Sequence, residues 1–322
     1  MAVYLGSNLV NMGGLNVIEV GDTSTEDELI TRTLSGVYSN SRVTQVGPYA
    51  FGSCVSLTSV NFPNASSIGS SAFTSCASLS FINAPNVTYI GGSAFLYCYS
   101  LSSFVFGSVS YIGNCAFMGC SKLSTIDTFY ISSTYRTFDT CAGLTTISST
   151  NLPNLTSLGY GTFQNCTQLQ TVDLPLVSFI SGYNFAGCSN LTTVNFPLAE
   201  TIQNNVFSNC YKLVNTSFPK VHTLSGNSIF YKCSALTELS FPKLSLISGG
   251  VFASCYNLLS LNLTGVSSVP VLSGTSAFYS TPIGGYSTSA GQYGSIYVPA
   301  SLYNDFIVAN NWSLFSSCIV SV

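Results

Sequence analysis

AFTSCASLSFINAPNVTYIGGS, running from Ala72 to Ser93, is one copy of a unit that recurs through the central part of the chain. Its Phe73 belongs to a series: Phe51, Phe73, Phe95, Phe117, Phe138, Phe163, Phe185, Phe207, Phe230, Phe252 and Phe278, spaced by 22, 22, 22, 21, 25, 22, 22, 23, 22 and 26 residues. Three residues after each Phe stands a cysteine, from Cys54 to Cys255; only the last unit departs, with Thr281. Three residues further on is always a leucine, from Leu57 to Leu258. A fixed period of this length marks a stacked array, in which one unit cannot bury its own apolar side and its neighbours complete the core.

Within one unit, apolar residues at alternate positions, such as Val60 and Phe62 or Val194 and Phe196, predict a short strand with those side chains inward. Pro63, Pro85, Pro153, Pro175, Pro197, Pro219 and Pro242 end that strand, because proline has no N–H to give to a ladder. A second short extended piece follows, as in Val87–Ile90, and Gly91 makes the corner. The A-F-x-x-C-x-x-L stretch puts Phe, Cys and Leu at steps of three, which suits one or two tight helical or 3-10 turns. Each unit is thus one coil of a right-handed solenoid.

That repeat pattern, I-G-x-x-A-F-x-x-C-x-x-L-x-x-V-x-F-P, has good copies at Ile68–Pro85 and Ile90–Phe106. It resembles the BspA-like (Treponema-type) leucine-rich-repeat family over roughly residues 43–278. The tail from Ile296 through Asn311, Trp312 and Ile319 is similar to the segment that commonly closes such arrays. The expected fold is an α/β-type leucine-rich-repeat solenoid: a strand-rich horseshoe or arc with short helical or 3-10 turns and about eleven repeats of 22 residues. Residues 1–42 are expected to cap one end, 43–282 to form the array, and 283–322 to cap the other. The first cap has a helix-start signal at Ser24 or Thr25 with Glu26, Asp27 and Glu28 in the first turn. In the second, Ser301 is placed to cap a helix over Leu302–Ala309, with Trp312 packed on the last coil. The resemblance implies a cell-surface or extracellular protein of adhesion or interaction, a functional inference that fold alone does not secure.

Composition narrows the function classes. Charged residues are only 6% of the chain and the formal net charge is −3, so there is no basic patch to neutralise a phosphate backbone and nucleic acid is not an expected partner. No apolar run approaches the length of a membrane-spanning helix. The opening MAVYLGSNLVNMGG has neither a basic n-region nor an apolar h-region, so no signal peptide is expected.

Twelve cysteines invite a disulfide or zinc reading, but ten fall in one column between buried Phe and Leu. A small apolar thiol fits that slot, and parallel stacked side chains seldom reach the dihedral of a disulfide. Zinc sites call for C-x₂-C pairs or histidines, and the chain has no such pair and one histidine, His222. No cofactor is expected. Three residues beyond successive strand-ending prolines stand Glu200, His222 and Ser245, which could line up as a hydrolase relay. Serine and threonine fill that column elsewhere (Ser66, Thr88, Thr156, Ser178), however, and no nucleophile elbow or oxyanion hole accompanies it.

A binding module is therefore the leading expectation, with a phage-tail or virion receptor-binding component as the alternative. Outward strand positions form two columns. One reads Ser59, Phe81, Ser103, Thr125, Thr146, Thr171, Thr193, Asn215, Glu238, Ser260; the other reads Asn61, Asn83, Val105, Asp127, Ser148, Asp173, Asn195, Ser217, Ser240, Asn262. Thr146, Thr171, Asp173, Thr193, Asn195, Asn215 and Ser217 are the candidate contacts to a protein or glycan on a host or neighbouring cell. Tyr99, Tyr211 and Tyr256, each just after its Cys, make a separate aromatic edge. The off-period segment 127–152 is expected to be a tolerated bulge or a ligand-contacting loop.

Overall fold

The computed structural model describes residues 19–20, 34–132, 134–214, 216–286, 288 and 290–322. The chain divides into two compact units, residues 1–145 with 150–154, and residues 146–149 with 155–322. The helix expected in the first cap falls on residues 23–33, outside those described.

In the first unit the regular coils contribute two short parallel strands apiece. One sheet contains Gln45–Val46, Ser67–Ile68, Tyr89–Ile90 and Tyr111–Ile112, with Glu19–Val20 at its edge; the other contains Ser35–Ser39, Ser56–Asn61, Phe81–Ala84 and Ser103–Phe106. The second unit repeats the plan. One sheet runs from Ser157–Leu158 to Val271–Leu272, and the opposite series begins with Thr146–Ser148, Thr171–Asp173 and Thr193–Asn195. That series continues through Thr216–Ser217, Glu238–Ser240, Ser260–Asn262, Ser295–Val298 and Ile319–Ser321. The parallel coils number about thirteen, against the eleven counted from the Phe series. The two beyond the Phe series are Ser35–Ser39, which pairs with Ser56–Asn61 ahead of it, and Ile319–Ser321, which pairs with Ser295–Val298 after it.

The marker side chains form the core. In the first unit the rings of Phe51, Phe73, Phe95, Phe117 and Phe138 stack at 5.1–5.5 Å with interplanar angles of 4–22°. In the second, Phe163, Phe185, Phe207, Phe230, Phe252 and Phe278 do so at 5.3–5.8 Å. Such near-parallel spacing keeps each ring in contact with the next while its edge meets the Leu and Cys columns. Every Phe of the series is buried.

The Phe–Cys–Leu stretch is a chain of tight turns. Cys54 N–H donates to Phe51 O and Leu57 N–H to Cys54 O, each at 3.1 Å. These are the i+3 to i bonds of 3-10 geometry. A left-handed residue two positions after each Phe stops the helix from developing: Ser53, Ser75, Tyr97, Gly119, Thr140, Asn165, Gly187, Asn209, Lys232, Ser254 and Ser280 all have φ between 54° and 80°. Only Thr275–Phe278, among the repeats, continues as a 3-10 helix. The turns also bond coil to coil, as in Phe51 N–H to Ala72 O and Ser53 N–H to Thr74 O, both 2.7 Å. Within each unit, coils are thereby tied to their neighbours on a third side, which satisfies main-chain groups that sheets alone would leave unpaired.

The C-terminal helix is Tyr303–Val308, preceded by a 3-10 turn at Ala300–Leu302, and no side chain caps it, so Ser301 does not play the role expected. Trp312 is buried; its Nε1–H donates to Pro270 O at 2.7 Å, and its ring lies 6.3 Å from Phe278 and 5.2 Å from Phe306.

In the first unit the coil that is one residue short keeps no strand over 123–128. Side chains replace the missing ladder: Asn151 Nδ2 donates to Ile126 O at 2.8 Å and Thr128 Oγ1 to Thr150 O at 2.9 Å, while Phe129 N–H reaches Asn151 O. Thr150 and Asn151 thus serve as partners for the short coil. Beside it, buried Asp139 takes two bonds from Arg136 at 2.7 and 3.0 Å and one from Thr140 Oγ1 at 2.9 Å.

Candidate binding face

The strand face of the second unit carries the expected contact residues. Thr146, Thr171 and Thr193 are in register on consecutive strands, and so are Ser148, Asp173 and Asn195. The alternating side chains between them, Ile147 and Val172, are buried, as a two-residue period dictates. All six candidates described, Thr146, Thr171, Asp173, Thr193, Asn195 and Ser217, are exposed. Asn215 lies outside the described residues.

These positions are not equally available. Asn195 Nδ2 donates to Asp173 Oδ1 at 2.7 Å, so the pair is already joined along the face. In the first unit the same column is chained further: Asn83 Nδ2 donates to Asn61 Oδ1 at 2.8 Å, and Asn61 Nδ2 to Ser39 Oγ at 2.9 Å. Asn ladders of this kind arise because identical amides one rung apart pair donor to acceptor.

The candidate contacts chosen from the sequence stopped at Ser217, and the face runs on along the same outward columns. A depression of about 340 Å³ begins there, lined by Thr216, Ser217, Glu238, Ser240, Ser260 and Asn262 above buried Leu239. Glu238 pairs in register with Ser260, and Ser240 with both Ser217 and Asn262. Two adjacent serines in one outward column, between Asn195 and Asn262, were the available signal.

The hydrolase line does not assemble. His222 Nε2 stands 3.9 Å from Glu200 Oε2, with both side chains well exposed, and its Nδ1 donates to Lys220 O at 2.7 Å. Ser245 Oγ donates to the main-chain oxygen of His222 at 2.9 Å rather than to its ring. Ser66 and Ser178 make the same bond to the preceding coil, to Thr44 O and Thr156 O. The column selects a hydroxyl to satisfy that carbonyl, which explains the serine without chemistry.

All twelve cysteines are free thiols, the ten of the column buried and Cys115 and Cys318 half-buried. Among the described residues no group of three or more His, Cys, Asp or Glu is placed to hold a metal, and no helix is long and apolar enough to cross a membrane. Of the tyrosines in that column, Tyr99 belongs to the first unit and Tyr211 and Tyr256 to the second, and all three are exposed. Exposed Tyr89 and Tyr111 stack on one another at 4.7 Å.

Coils of parallel strands sharing Phe, Cys and Leu columns define a leucine-rich-repeat protein. The family described as "BspA type Leucine rich repeat region (6 copies)" matches residues 31–140, 107–199 and 156–283, and the chain belongs to it. Among solved structures, the chain is similar to a leucine-rich repeat protein from Bacteroides ovatus, at 18% identity over 90% of this chain and 84% of that one, TM-score 0.49. It is similar also to a leucine rich cell surface protein from Faecalibacterium prausnitzii, at 22% identity over 94% and 89%, TM-score 0.47. A leucine rich repeat protein of T. pallidum matches at 28% identity over 55% and 77%, TM-score 0.39. No curated protein sequence matches the chain.

Proposed function

We propose that the chain is a non-enzymatic binding module, acting at the cell surface or outside the cell, that offers the strand face of its second unit to a protein or glycan. What carries this reading is the in-register, exposed and nearly uncharged set Thr146, Thr171, Asp173, Thr193, Asn195. Hydroxyls and amides held on a rigid sheet can hydrogen-bond a ligand with little loss of side-chain freedom. Each such bond contributes about 1 kcal/mol, so affinity comes from several rungs at once.

A glycan and extracellular-matrix array probed with the wild-type chain and with the double variant Thr171→Arg/Asn195→Arg tests the proposal. Binding by the wild type and its loss in the variant is the expected result. Full-strength binding by the variant would place the site elsewhere.

A further inference from the structure

We propose that the depression around Ser240 is a subsite for one neutral sugar ring of a glycan; this rests on the strand-face reading and gives it a ligand class. Volume is the first consideration: about 340 Å³ is at the small end of ligand sites, suited to a single ring rather than to a folded partner.

The shape follows from side-chain length. Along the second outward column Asn195, Ser217, Ser240, Asn262 and Tyr297 occupy successive strands. The two serines in the middle are the shortest, so the surface drops between Asn195 and Asn262. Glu238, beside Ser240 on the same strand, and Ser260 on the next close the flank.

The chemistry matches a polyol. Three serine hydroxyls both donate and accept, and the Glu238 carboxylate accepts from hydroxyls. Asn262 Oδ1 is engaged by Thr264 N–H at 2.9 Å and by Thr264 Oγ1 at 2.8 Å, which leaves Nδ2 as the group its amide offers. A sugar ring presents a hydroxyl on nearly every carbon and can use such a dense mixed array. A peptide would want an apolar anchor pocket, whereas every side chain lining the groove except that of buried Leu239 is polar. No Lys or Arg lines it while Glu238 does, so acidic sugars are disfavoured.

The test is a titration of the full chain, followed by amide NMR, with methyl α-D-glucopyranoside, methyl β-D-galactopyranoside and N-acetylglucosamine, against N-acetylneuraminic acid and N-acetyl-lysine methylamide. At least one neutral sugar should shift amides at Ser217, Ser240 and Asn262, and N-acetylneuraminic acid should not. Glu238→Gln and Asn262→Ala should each weaken that sugar by about tenfold or more, as expected for a bond to a charged group and for a lost donor. Glu238→Gln is nearly isosteric at an exposed site, so an unchanged melting temperature separates lost binding from lost fold. Three results overturn the subsite: no neutral sugar binds, binding survives both substitutions, or the lysine amide is preferred. Loss of array binding in Thr171→Arg/Asn195→Arg with no sugar bound would sink the subsite alone. Sugar bound in the depression while that double variant keeps full array binding would support the subsite and remove the central-face reading.

Discussion

The thiol of Cys76 donates to the main-chain oxygen of Phe51, 25 residues earlier, across 2.9 Å. Cys98 does the same to Phe73 at 3.0 Å, and Cys188, Cys210 and Cys255 to Phe163, Phe185 and Phe230 at 2.9–3.1 Å. The cysteine column therefore does more than fill space. It brings a weak donor to a carbonyl on the neighbouring coil, and a branched apolar residue there would leave that bond unmade.

Reactivity follows from that burial. Ellman's reagent should modify Cys115 and Cys318 first in the native protein, and all twelve thiols in denaturant. Mass spectrometry showing five or more disulfides in the native chain would contradict the assignment.

Burial also pushes the thiols of Cys98 and Cys255 up to about 12 from the ordinary 9.0, and raises those of Cys120, Cys141, Cys210 and Cys233 well above it too. A folded-state value above the unfolded one means the folded chain holds protons that the unfolded chain releases. The associated stability is fully present below pH 9 and declines as pH climbs toward 12, by about 1.4 kcal/mol per pH unit for each such thiol. Urea melts at pH 8 and pH 10.5 should show that decline, and Cys98→Ala with Cys255→Ala should make it shallower. A flat profile in the wild type would show that the thiols are not buried as described.

Phe185 touches Phe163, Phe196 and Phe207 at 5.6–5.8 Å. Phe185→Ala should destabilise the second unit by about 3–5 kcal/mol through the cavity it leaves. Thr193→Ala, on the exposed face, should stay within about 0.5 kcal/mol. Equal losses in denaturant titrations would mean that the inward and outward assignments are reversed.

Two neighbouring glycines should behave differently. A Cβ on Gly91 would sit 2.5 Å from Ser70 N and 2.7 Å from Gly69 C, main-chain atoms of the preceding coil. On Gly92 the nearest atom would be Asn114 O at 3.4 Å. Gly91→Ala should therefore cost about 1–3 kcal/mol and Gly92→Ala much less. Similar melting temperatures for the two variants would show that the coils are not in main-chain contact there.

The Phe, Cys and Leu columns, the strand positions and the prolines were legible because a large apolar side chain at a fixed phase reports directly on burial. The turns were not. Positions two before and two after the Phe are left-handed in coil after coil, yet residues such as Tyr49, Ser71, Tyr97, Asn165, Tyr183 and Lys232 occupy them instead of glycine. Each pays a conformational penalty of about 1–2 kcal/mol that local sequence would argue against, and the coil-to-coil bonds impose the geometry regardless. The depression at Ser240 was half legible: its residues stood in the right columns, but a dip on a surface depends on differences in side-chain length across rungs. Ser295–Val298 and Ile319–Ser321 were harder to place for a different reason: Ile296, Val298 and Ile319 are buried like the inward residues of the other strands, but no complete Phe–Cys–Leu stretch leads into them.

The bonds that join coils run from a residue to its counterpart one unit away, 22 residues in Ser66 to Thr44, in Asn83 to Asn61 and in Asn195 to Asp173. A seam of that kind is chemically the same wherever it is cut. Excising one whole coil within either unit joins two surfaces that already know how to meet, whereas removing a few residues leaves strands, rings and thiols out of phase together. Unequal crossing-over between repeated gene segments would thus shorten or lengthen the array in steps that stay folded, and the number of coils becomes a trait that can drift while the design of each coil is held fixed.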